Sequence, residues 1–109
     1  MKNLTDKITK DGSLDLSSEE QESLKNLDGL ANCTTLKIVE IECPNLENVD
    51  GLANCTSLTS LQLYRCESLQ NVDGLAKLTS LTNLDLFACT ALQNVDGLAK
   101  LTSLTSLDL

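Results

Sequence analysis

The chain has 109 residues, with sixteen acidic side chains against eight basic ones, a net charge of −8, one Tyr, one Phe, no Trp and no His. That length suits a single domain with one core, and the acidity speaks against a nucleic-acid partner, which would require clustered Lys and Arg to meet phosphates. No apolar run approaches the ~20 residues of a membrane span, and no hydrophobic signal segment follows Met1, so a cytoplasmic protein without membrane contact is expected.

Residues 1 to 12 are polar, and Asp11-Gly12 is a turn signal. The alternation Leu14-Asp15-Leu16 predicts a first strand near 14–16. Ser17 then stands three residues ahead of Glu20, the spacing of a capping box, and Glu19, Glu20 and Glu22 put negative charge where a helix dipole favours it. A helix over about 18–27 follows, with Leu24, Leu27 and Leu30 on one stripe. Residues 1–30 are therefore expected to form an N-terminal cap, and 31–109 the body of the same domain.

That body is repetitive. Asn-Val-Asp-Gly-Leu begins at Asn48, Asn71 and Asn94, a step of 23 residues, and Asn26-Leu-Asp-Gly-Leu lies 22 residues before the first. A fixed period of this size predicts a solenoid of stacked coils. Within one unit the apolar positions are Leu81, Leu84, Leu86, Cys89, Leu92, Val95 and Leu98. The gap of two between Leu84 and Leu86 marks a strand, and the gaps of three suit tight helical or 3₁₀ turns. Strands are predicted at Val39–Ile41, Leu61–Leu63, Leu84–Leu86 and Leu107–Leu109. A single coil cannot bury its own leucines. Stacked, each buried Leu contributes roughly 1.5–3 kcal/mol.

The motif Leu-x2-Leu-x-Leu-x2-Cys-x2-Leu, at Leu58 to Leu69 and again at Leu81 to Leu92, resembles the leucine-rich repeat family, in its cysteine-containing variant. The unit at Leu36, Val39, Ile41, Cys43 and Leu46 is one residue short after its strand, so a bulge or tighter loop is expected there. The resemblance implies an α/β, right-handed solenoid with a concave parallel sheet of about five short strands. It also implies a non-enzymatic protein-interaction module docking a partner on that sheet.

Cys43, Cys66 and Cys89 fall in one repeat column, and Cys33 and Cys55 in a second where Leu78 and Leu101 replace cysteine. The swap favours a reduced, apolar role over a disulfide or zinc site. Asp28, Asp50, Asp73 and Asp96, each followed by Gly, read as N-caps of short turns, with Gly allowing a tight φ, rather than as a calcium ladder. The sequons at Asn3, Asn32 and Asn54 carry no weight without an export signal. No cofactor or metal is expected. Without His, a Cys or Ser nucleophile lacks its usual base, and Glu40 and Glu42, roughly 7 Å apart on one strand face, read as solvated charge.

Comparison of the units at Asn48 and Asn71 shows most differences on or just after the strand. Candidate partner-binding residues on that face are Glu40, Glu42, Gln62, Tyr64, Asn83, Asp85 and Phe87, with Arg65 at the rim. Exposed aromatics beside acids suit a protein partner of basic or mixed charge. The alternative is a self-assembling, consensus-like or engineered scaffold. Its C-terminal coil would be uncapped and would dimerise through Leu101, Leu104, Thr105, Leu107 and Leu109.

Overall fold

A computed structural model describes residues 4–30 and 33–108. The sequons' Asn3 and Asn32, and Leu109 of the proposed self-association set, lie outside the described residues. Four parallel strands, β1 (Ile38–Ile41), β2 (Ser60–Leu63), β3 (Asn83–Asp85) and β4 (Ser106–Asp108), form one sheet in sequence order. Each of β1, β2 and β3 is followed by a return segment carrying a 3₁₀ turn, at Asp50–Leu52, Asp73–Leu75 and Asp96–Leu98, and a further copy at Asp28–Leu30 precedes β1. A parallel sheet of short strands joined by 3₁₀ return turns is the stacked-coil solenoid that the repeat period predicts.

The register explains why the period is fixed. Val39 lies opposite Leu61, Leu61 opposite Leu84, and Leu84 opposite Leu107. A leucine or its equivalent in one coil therefore packs on the same position of the next, and Leu36, Val39, Leu46, Val49, Leu52, Leu58, Leu61, Leu69, Val72, Leu75 and Leu81 are all fully buried. A threonine ladder joins the coils beside the sheet. The hydroxyls of Thr59, Thr82 and Thr105 donate to the carbonyls of Lys37, Thr59 and Thr82 at 3.3, 3.2 and 3.1 Å, and the same threonines donate their backbone N–H to the same oxygens.

The helix expected over 18–27 is shorter. It spans α1 (Ser18–Ser23), and its chain turns extended at Leu24. Its capping box is present, with Glu20 N–H on Ser17 Oγ and Ser17 N–H on Glu20 Oε1, but no residue of the helix is buried. Leu27 and Leu30 are buried instead as part of the first repeat turn, which packs on the next coil's turn at Asp50–Leu52. Stacking on the next coil outweighs continuation of a helix that has no apolar face of its own.

The strand expected near 14–16 is also reduced, so the sheet among the described residues has four strands rather than five. Ser13 makes a single parallel bridge to Ile38, and Leu14 an antiparallel bridge to Ile8. The segment is one arm of a small hairpin turning through Gly12, whose φ of 85° lies in the left-handed region. The Gly12 carbonyl accepts the N–H groups of Lys37 and Ile38 at 2.7 and 3.0 Å. The hairpin takes the Ser13 carbonyl and the Asp15 N–H, which bond Thr9 and Lys7, so only the Leu14 N–H is left to donate to the Ile38 carbonyl at 3.1 Å, while Leu14 and Leu16 are buried against the first coil.

Candidate functional site

The outward strand positions form rows set by the register. Glu40 lies opposite Gln62, Gln62 opposite Asp85, and Asp85 opposite Asp108. Two residues further along the chain stand Glu42, Tyr64 and Phe87. Their inward neighbours Val39, Ile41, Leu61, Leu63, Leu84 and Leu86 are buried, so the period of two forces this second set onto the opposite, solvent-facing side. Glu40, Glu42 and Asn83 are exposed, Gln62, Tyr64 and Asp85 half-buried, and Phe87 is 53% exposed.

Charge on this face is unbalanced. Arg65 reaches Glu42 at 3.4 Å, with both side chains well exposed, while no cationic side chain pairs with Glu40, Asp85 or Asp108 among the described residues. Asp85 Oδ1 accepts the Phe87 N–H at 3.0 Å, which fixes the backbone beneath that ring. Partial burial, with the carboxylates of Asp85, Glu40 and Asp108 beside it, holds the Tyr64 phenol above its ordinary range. The single tyrosine therefore stands in the field of three acids. Asp108 belongs to this group by its register with Asp85, which follows once Ser106–Asp108 is placed as a strand.

Just beyond the strands the coils differ as the missing residue foretells. Arg65 and Ala88 adopt φ of 51° and 59°, and they hold the position absent between Ile41 and Cys43. The longer units fit their extra residue by a left-handed step, and the short unit has the tighter loop. Beside that loop α1 docks on the end of β1. Gln21 Oε1 accepts the Glu42 N–H at 2.8 Å, and Asn45 Nδ2 donates to the Glu22 carbonyl at 2.6 Å. These contacts span more than twenty residues, and no local pattern announces them.

On the return side, Asn26, Asn48, Asn71 and Asn94 each accept through Oδ1 the N–H of the aspartate two residues on, at 3.0, 3.0, 3.1 and 3.4 Å. The cap of the turn is thus asparagine, and the described 3₁₀ turns at Asp50, Asp73 and Asp96 make no side-chain cap bond at their own start. Asparagine wins because an Asx turn reaches the N–H at i+2 directly. The glycines also serve a different purpose from a special φ. A Cβ on Gly74 would stand 2.7 Å from the Val49 carbonyl oxygen, and one on Gly97 2.6 Å from that of Val72. Successive coils approach closely at these points.

All five cysteines are free and buried. Burial raises the Cys43 thiol to about 11 and pushes Cys55 upward as well. Cys66 is held protonated by its hydrogen bond with Cys89 and by burial. Cys89 Sγ donates to the Leu63 carbonyl at 3.2 Å.

Of the residues expected to self-associate, Leu101 is in the core at 4% exposure and Leu104 is half-buried. Thr105 is exposed and bonded to Thr82, and Leu107 is 48% exposed.

A crystal structure of an internalin from Listeria monocytogenes aligns with 89% of this chain at 20% identity and a TM-score of 0.35. This chain spans 40% of that protein's length. No family model matches the chain, and no curated protein matches it.

Proposed function

We propose that the chain is a non-enzymatic protein-interaction module. Its sheet, the concave side of the stack, docks a partner of basic or mixed charge. The observation that carries this is Phe87, 53% exposed and next to Tyr64, alongside the carboxylates of Glu40, Asp85 and Asp108, with no base on the four strands among the described residues. A large apolar ring left in water is surface that a partner gains by covering, and aromatic side chains give much contact area for little entropy.

A phage-displayed library panned on the folded chain tests the reading, with affinities measured by calorimetry on the chain and on a variant carrying Glu40→Ala, Tyr64→Ala, Asp85→Ala and Phe87→Ala. Selected binders should lose affinity for the variant while its circular dichroism is unchanged. Binders that hold both proteins equally would reject this face.

A second reading, self-association as a repeat scaffold, is favoured by the apolar surface of the last described coil. Leu107 and Val95 are 48% and 38% exposed, and Val95 lines a shallow cleft with Leu86, Cys89 and Leu92. The outer edge of β4 pairs with no strand among the described residues. Sedimentation velocity across a range of concentrations should then show a dimer that Leu107→Lys dissociates. A monomer at every concentration removes this reading.

A further inference from the structure

The carboxylate row and the two rings define what chemistry the face selects. Asp85 and Asp108 are register partners on adjacent parallel strands, which places their backbones about 4.8 Å apart with like charges side by side. Neither has a basic partner among the described residues. Asp85 accepts the Phe87 N–H through Oδ1 alone, which leaves Oδ2 outside that bond. Tyr64 stands one residue past the end of β2 and Phe87 two residues past the end of β3, and Arg65 is engaged with Glu42 at 3.4 Å.

We propose that this face recognises its partner through an arginine side chain, its guanidinium seated between Asp85 and Asp108 with its plane against the Tyr64 and Phe87 rings. The inference rests on the concave-face reading above and names the partner's chemistry. Arginine fits better than lysine for three reasons. Its fork of five donors can serve two separate carboxylates at once, its plane stacks on aromatic faces, and it sheds water more readily than an ammonium. Seating it also relieves the repulsion between two neighbouring aspartates. Ser60, Asn83 and Ser106, along the adjacent outward row, supply neutral polar groups where the flanking backbone of such a partner would lie.

Tyr64 is the sole tyrosine and there is no tryptophan, so intrinsic fluorescence reports on this spot alone. The experiment titrates the full chain with blocked hexa-arginine, hexa-lysine and a neutral glycine-serine peptide at matched ionic strength, with calorimetry on the same samples. The expected result is saturable binding of the arginine peptide, accompanied by a change in Tyr64 emission, and about tenfold weaker binding of the lysine peptide. The variant Asp85→Asn with Asp108→Asn, isosteric and still able to accept the Phe87 N–H, should weaken arginine binding by about tenfold or more. Asp50→Asn with Asp73→Asn removes the same charge from the return turns and should leave it unchanged.

Equal weakening by both variants would show attraction to net charge alone and overturn the proposal, as would equal affinity for arginine and lysine, or no binding. If hexa-arginine fails while library-selected binders still lose affinity for the four-alanine variant, the docking face stands and the arginine falls. If neither effect is seen, both fall.

Discussion

Gly74 sits against Val49 so closely that a Cβ on the glycine would stand 2.7 Å from the valine carbonyl oxygen, and 2.8 Å from Asp50 Cα. Both neighbours are backbone of the preceding coil and cannot swing aside as a side chain would. Gly74→Ala is therefore expected to push two coils apart and to cost about 1–3 kcal/mol, as overpacking does. Urea unfolding followed by circular dichroism should show a lower midpoint at unchanged slope.

The turn that holds this glycine supplies a second test. Asn71 Oδ1 accepts the Asp73 N–H at 3.1 Å, whereas the Asp73 side chain is exposed and caps nothing. Asn71→Ala should lose about 1 kcal/mol, the usual worth of a cap, and Asp73→Ala should leave the urea midpoint nearly in place. Equal losses would return the capping role to aspartate.

Ala88 pays for its φ of 59° without the side-chain chemistry that suits the left-handed region. Such a conformation costs an L-residue roughly 1–2 kcal/mol, part of which glycine returns as greater freedom of the unfolded chain. Ala88→Gly should raise stability by about 0.5–1 kcal/mol in thermal or urea unfolding. A loss would mean that the alanine methyl makes a contact worth more than the strain.

These positions show what the sequence makes legible and what it does not. The leucine columns, the strand positions and the outward set from Glu40 to Phe87 are read from spacing, because burial of one side of a strand fixes the other. Leu24, Leu27 and Leu30 mislead because a step of three fits both a helix and a 3₁₀ turn. The match of Leu27 and Leu30 to Val49 and Leu52 decides between them only once the coils are stacked. The close approach at Gly74 depends on a residue 25 positions earlier, and the docking of Gln21 on Glu42 on one 21 positions later. Local patterns carry neither.

The buried thiols predict a pH dependence. Desolvation raises Cys43 from 9.0 to about 11, so it keeps its proton in the folded chain where the unfolded thiol has ionised. The unfolded state then binds fewer protons. The stability present in full below pH 9 is lost as pH climbs from about 9 to about 11, at up to about 1.4 kcal/mol per unit for this thiol. Urea midpoints across that window should fall more steeply for the wild-type chain than for Cys43→Ala. Parallel curves would mean that Cys43 ionises as freely in the folded chain as in the unfolded one.

The most direct test of the account is a map of amide chemical shifts for the ¹⁵N-labelled chain, titrated with a binder selected from the library. The perturbed amides should gather on Glu40, Gln62, Tyr64, Asp85, Phe87 and Asp108. Perturbations gathered on the return turns from Asn48 to Leu52 and Asn71 to Leu75, with the strands silent, would contradict it.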